Sequence, residues 1–165
     1  MQTPRNRNLA ILQTLADHQV EFLIVGGVAA ALLGAPVSTL VVEVVHSTDP
    51  ANVSRVLAAL AELDAIYRAQ PDLRLRPNAS HLGSAGHQLL LTRLGPLDLL
   101  GSIGNGRTYP DLLRHTTELK AGPSLSFKVL DLETQIATKK EEVGGEKDRA
   151  ALPILRRPLE ERRKG

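Results

Sequence analysis

The chain of 165 residues contains no cysteine and no tryptophan, and only two Phe and two Tyr. Without cysteine it can form no disulfide, no thiolate metal site and no Cys nucleophile, and its chemistry suits a reducing compartment. Without large aromatics the core must be built from Leu, Ala and Val, and a dedicated single-strand nucleic-acid reader, which stacks bases on aromatic rings, is disfavoured. No apolar run approaches the roughly 18 residues that span a bilayer, and MQTPRNRN lacks the apolar segment of a secretory signal. The expectation is a soluble, cytoplasmic protein without membrane association.

What is present fits one domain over residues 1–165, with a basic C-terminal helix from about residue 147. The net charge is only +2, but Arg149, Arg156, Arg157, Arg162, Arg163 and Lys164 crowd the end of the chain beside Glu160 and Glu161. That end is either a solvated helix or a surface for phosphates or an acidic partner.

Leu9, Leu12 and Leu15 recur at helical spacing, so residues 8–18 read as an amphipathic helix capped by Asn8. Residues 21–25 read as a buried strand, Gly26-Gly27 as a tight turn, and VAAALLG as a short helix closed by Gly34 and stopped by Pro36. A strand follows over residues 39–46. Ser47 or Asp49 then caps a helix whose apolar face is Val53, Val56, Leu57 and Leu60, with Pro50 in its first turn.

Residues 67–86 are polar and rich in Pro, Gly and Ser, and read as a long ordered loop. A hairpin is expected from strands near 87–92 and 97–100 around Gly95-Pro96, then a short helix in TYPDLLRHT, then two strands around Gly122-Pro123. Asp131 is placed to cap a helix ending at Gly144-Gly145, and a last helix from about Lys147 would kink at Pro153 and Pro158. The expected fold is α/β, a mixed central sheet of about four to six strands flanked by helices.

Two acidic residues stand where apolar side chains dominate. Glu43 lies inside TLVVEVVHS and Asp98 inside GPLDLLG. A buried, unpartnered carboxylate loses several kcal/mol of hydration or takes up a proton, so each needs either an open sheet face or a cation. Two such groups on neighbouring strands repel unless a cation stands between them. Oxygen donors of this kind suit Mg²⁺, which takes one or two carboxylates and substrate phosphates. Gly26-Gly27, between strand and helix, lets backbone N–H groups face phosphate oxygens.

Taken in order, FLIVGGVAAALLGAPVSTLVVEVV, then GPLDLLG, then DLETQIATKKEEVGGEKDRAAL resembles the nucleotidyltransferase superfamily with the DNA polymerase beta-like fold. The likeness is to its small bacterial stand-alone members related to abortive-infection toxin-type nucleotidyltransferases. It implies transfer of a nucleoside monophosphate from a nucleoside triphosphate to a protein or RNA hydroxyl, assisted by Mg²⁺ or Mn²⁺. It also implies that Glu43 and Asp98 are catalytic residues and metal ligands. Gly26, Gly27, Ser38, Thr39, Lys147 and either Lys139 or Lys140 would face the nucleotide and its phosphates, and Asp148 would complete a Lys-Asp turn. The chain departs from the pattern at Val41, which stands where the first acidic residue of a pair is expected, and at Gly145, which stands in place of Arg. The site would then lack one ligand and one negative charge. The alternative is a non-catalytic nucleotide-binding or toxin-antitoxin-type interaction module, paired with a cognate antitoxin or other partner protein.

Two further readings are weaker on the residues themselves. The G-x-G-x-x-G spacing of a dinucleotide site is absent. His81 and His87 have the spacing to approach each other, but no third zinc ligand stands nearby. In the same loop Arg74, Arg76, Asn78 and Ser80 are available to a phosphate or base, and His46 reads as a strand-end residue.

Overall fold

The computed structural model describes residues 3–37, 39–123 and 125–150. Its centre is a seven-stranded mixed sheet ordered β3-β4-β5-β2-β1-β7-β6. The strands are β1 (Phe22–Val25), β2 (Val42–His46), β3 (Ile66–Tyr67), β4 (His87–Thr92), β5 (Gly95–Leu100), β6 (Thr116–Lys120) and β7 (Ser126–Leu130). The helices are α1 (Pro4–Asp17), α2 (Gly26–Leu32), α3 (Pro50–Glu62), α4 (Ala79–Leu82), α5 (Tyr109–Leu112) and α6 (Leu132–Ala150). The α/β class and the helix-flanked mixed sheet are as expected. The sheet is one strand wider, because the pair Ile66–Tyr67 adds an edge that is too short to carry a period-two signal.

Strand alternation gives the sheet two unlike faces. One carries Ile24, Val42, Val44, Leu90, Leu97, Leu99 and Val129, which pack with Ile11, Leu12 and Leu15 of α1 and with Val53, Val56 and Leu60 of α3. The other carries Leu23, Val25, Val45 and Leu100, which join Ile103, Tyr109, Leu112 and Leu130 in a smaller core. That second face is covered at one end only, and this leaves room for polar groups along the rest of the strands.

Several local expectations are corrected. The first helix begins at Pro4, four residues earlier than expected, because the Thr3 hydroxyl caps it by accepting from the Asn6 N–H at 3.2 Å. Asn8 lies inside that helix and donates to the Thr39 carbonyl at 3.4 Å. β2 starts at Val42 because the Thr39 hydroxyl bonds the backbone of Val41, accepting from its N–H at 3.2 Å and donating to its carbonyl at 3.3 Å. That local bonding holds residues 39–41 out of the ladder.

The β4–β5 turn falls at Arg93 and Leu94. There the Thr92 hydroxyl accepts from Leu94 and donates to the Gly95 carbonyl, so Gly95 and Pro96 already belong to β5. Residues 67–86 hold the end of β3, a 3₁₀ turn over Pro71–Leu73 and α4, whose Leu82 is fully buried. Asp131 caps α6 as expected, its carboxylate accepting from the Thr134 N–H at 2.7 Å. The helix runs through Gly144 and Gly145 to Ala150 rather than ending there. Glycine costs a helix about 1 kcal/mol but does not stop it unless the chain turns left-handed. The bends expected at Pro153 and Pro158 fall outside the described residues.

A buried asparagine ties the sheet to the helical layer. Asn52, wholly inaccessible in α3, accepts from the Glu21 N–H at 2.7 Å and donates to the carbonyls of Glu21 at 3.1 Å and Ser47 at 2.8 Å. It therefore fixes the entry to β1 against the exit from β2, which sets the register of the central antiparallel pair. Asn52→Ala should lower stability by about 2–3 kcal/mol, since it leaves those polar groups without their partner. Equilibrium urea unfolding measures this, and a loss below about 1 kcal/mol would show that the clamp is dispensable.

Candidate functional site

β2 and β5 run parallel, and their register places Glu43 directly beside Asp98. β1 and β4 extend the same row, with Val25 opposite Glu43 and Leu89 opposite Asp98. Because side chains alternate, all four stand on the partly covered face. They form the floor of a cavity of about 790 Å³ that is also lined by Gly26, His87, Ser102, Gly104, Lys139 and Glu142.

Gly26 is the close neighbour of Glu43. Its φ of +72° lies in the left-handed region, and a β-carbon there would overlap Glu43 Oε2. Glycine therefore serves twice, permitting the backbone turn out of β1 and leaving space for the carboxylate. At Gly27 an added β-carbon would sit 2.9 Å from Thr39 Cβ, so that glycine seats the threonine that holds residues 39–41 out of the sheet.

α6 and the loop after β5 form the opposite wall. Arg107 reaches Glu141 through Nε and a terminal nitrogen, at 2.8 to 3.1 Å, and the Gly104 N–H donates to Glu142 at 3.2 Å. The Arg107 guanidinium holds the Glu141 carboxyl below its ordinary range. Lys139 adds a positive group that lines the cavity, 3.6 Å from Glu142.

Burial pushes the Glu43 carboxyl above its ordinary 4.5; Lys139 opposes that shift, while neighbouring Asp98 adds to it. Asp98 is 8% exposed, and one of its oxygens accepts from Arg68 at 2.9 Å. Arg68 follows the short edge strand β3, and its other terminal nitrogen donates to the Leu90 carbonyl at 2.9 Å. Nothing in YRAQPDL marks this arginine for a role. Only the pairing of β3 with β4 carries it within reach of Asp98.

The other residues singled out in the sequence are scattered. Lys140 and Gly27 do not line the cavity, and neither do Thr39 or Val41, which stand just before β2. Ser38 and the side chains of Lys147 and Asp148 lie outside the described residues. Arg74 and Arg76 both pair with Asp64, while Asn78 and His81 form the capping box of α4, so this stretch spends its polar groups locally. His87 donates through Nε2 to the Ser102 carbonyl at 2.8 Å, and among the described residues no three His, Asp or Glu gather to hold a metal ion. His46 is buried, its pKa lowered by desolvation, and the neutral ring donates to the Leu82 carbonyl at 2.8 Å. It joins β2 to α4.

No protein-family model and no curated protein sequence matches the chain. Among solved structures it is similar to a Thermotoga maritima protein described as a "putative nucleotidyltransferase". The two share 16% identity at a TM-score of 0.60, over 98% of this chain and 96% of that one. At that identity the likeness shows the fold, an α/β arrangement of nucleotidyltransferase type.

The Glu43 environment has a consequence for stability. A carboxyl whose folded pKa is raised binds its proton more tightly in the native state. The stability it contributes is complete below pH 4.5 and is lost as pH rises through the folded value. Glu43→Gln should therefore be more stable than the parent at neutral pH, with the gain fading as pH falls through the raised folded value and gone below 4.5. Urea unfolding at a series of pH values checks this; a variant no more stable than the parent at neutral pH contradicts it.

Proposed function

We propose that this chain binds a nucleoside triphosphate together with one Mg²⁺ or Mn²⁺ ion in the cavity above Glu43 and Asp98. The observation that carries this reading is the side-by-side placement of those carboxylates on the half-open face of the sheet, against bare backbone at Gly26 and within the influence of Lys139. Burial opposes the ionisation of Glu43, a perturbation found where carboxylates meet a charged ligand.

The donor set fits an ion that brings ligands of its own. Glu43 and the Asp98 oxygen not bonded to Arg68 are two protein donors, and Mg²⁺ commonly takes that number while phosphates and water complete its shell. When bound, the ion would supply charge neutralisation for the phosphates and for a leaving pyrophosphate. Lys139 would add positive charge at the rim. The nucleotidyltransferase-type fold gives this site a matching chemistry: a hydroxyl of a protein or RNA acceptor attacks the α phosphorus, the bond to pyrophosphate breaks, and a nucleoside monophosphate is left on the acceptor oxygen.

Val41 weighs against efficient transfer. It offers no oxygen where the resemblance expects the first acidic residue, so the site supports one ion better than two. This favours nucleotide binding without rapid transfer, and a role exerted through binding to a partner such as a cognate antitoxin. A cytoplasmic location accords with both roles.

Calorimetric titration of Mg²⁺ with nucleoside triphosphates tests the reading. The chain should bind at least one triphosphate, and Glu43→Ala should weaken it about tenfold, or ~1.4 kcal/mol. Labelled transfer to a protein or RNA acceptor should be greater in Val41→Asp than in the parent. If no triphosphate gives a saturable heat with either protein, the proposal fails.

A further inference from the structure

The Arg68–Asp98 contact joins residues from opposite ends of the β3-β4-β5 unit, and the nucleotide reading does not require it. The Arg68 N–H donates to the Leu89 carbonyl at 3.0 Å, which fixes the base of the side chain at the sheet edge. The guanidinium then spans β4, with one terminal nitrogen on the Leu90 carbonyl and the other on Asp98 Oδ1, both at 2.9 Å. The guanidinium is thus held at two points above a fixed main-chain anchor. The aspartate it meets is mostly buried, so the pair is screened less by water than an ion pair at the surface.

We infer that Arg68 is the resident cation at Asp98, a positioning residue that holds one oxygen of that carboxylate and leaves the other for an arriving ion. The inference rests on reading Glu43 and Asp98 as a cation site. Arg68 engages one oxygen of Asp98 and leaves the other free of partners among the described residues, so a divalent ion arriving alone gains few protein ligands and keeps most of its water. An ion arriving with a triphosphate brings phosphate oxygens in place of that water. The protein therefore discriminates in favour of the metal–nucleotide complex and against the free metal. A metal-free carboxylate pair would otherwise be held together against its own repulsion, and Arg68 removes that cost for one partner while keeping the second available.

The test uses Mn²⁺ alone, followed by the electron paramagnetic resonance signal of the free ion, so its outcome is readable whether or not any triphosphate binds. Removing one partner of such a pair leaves an uncompensated charge, and Arg68→Gln should therefore bind Mn²⁺ about tenfold more tightly than the parent chain. Arg68→Met, which keeps much of the side-chain volume, should do the same and guards against a folding defect in the first variant. Adding Asp98→Asn to Arg68→Gln should abolish the gain. The inference is overturned if both single variants bind Mn²⁺ no more tightly than the parent, or if the gain survives Asp98→Asn. Failure of the nucleotide reading would be seen separately, as absent triphosphate binding with the Mn²⁺ result unchanged.

Discussion

The parallel pairing of β2 with β5 is the constraint on which the site depends. In that register Glu43 and Asp98 are direct neighbours, and a slip of one residue would turn one of the two carboxylates into the aliphatic core. The flanking residues oppose such a slip. Val42, Val44, Leu97 and Leu99 are fully buried on the other face, and each would be exchanged for a polar or misplaced neighbour. The hydrophobic pattern that builds the core thus also aims the acids at the cavity. Asn52 reinforces this by fixing where β1 begins and β2 ends, one strand away from the pair.

Charge is then balanced within the cavity wall. Glu141 is engaged by Arg107 and Glu142 by the Gly104 N–H, so two of the four acids around the cavity are committed to holding the loop after β5 against α6. Asp98 shares Arg68 through one oxygen. Glu43 alone has burial working against its charge without a direct ion pair among the described residues. The cation site proposed above uses this uneven distribution, since Glu43 and the second Asp98 oxygen remain available while Glu141 and Glu142 are engaged. The desolvated Glu43 carboxylate stands beside Gly26, whose lack of a side chain leaves room for it.

Much of this was legible in the sequence because the strands of the central sheet are aliphatic runs with an acid in a conspicuous place. Glu43 and Asp98 are conspicuous in the sequence because a carboxylate inside an aliphatic strand is costly to bury. The strands around Gly122 and Pro123, the hairpin of β4 and β5, and the Asp131 cap were likewise local signals. Arg68 was not legible, since it sits in a polar stretch that resembles a loop and acts only through the pairing of β3 with β4. The full length of α6 was hidden for a related reason. Gly144-Gly145 is a stop signal by propensity, but the turn before it is anchored by Glu141 and Glu142 to a loop some 34 to 38 residues distant in sequence. Thr39 ends the extended stretch early through a side-chain bond that a run of β-branched residues conceals.

The central claim is that the Glu43–Asp98 row receives a divalent ion together with nucleoside triphosphate. The most direct measurement is anomalous X-ray scattering from crystals grown with Mn²⁺ and a non-hydrolysable triphosphate. The account predicts one manganese peak between the Glu43 and Asp98 carboxylates, with the phosphates beside Gly26 and Lys139, and Arg68 still bonded to Asp98. Triphosphate bound elsewhere, or a manganese peak without contact to either carboxylate, would contradict it.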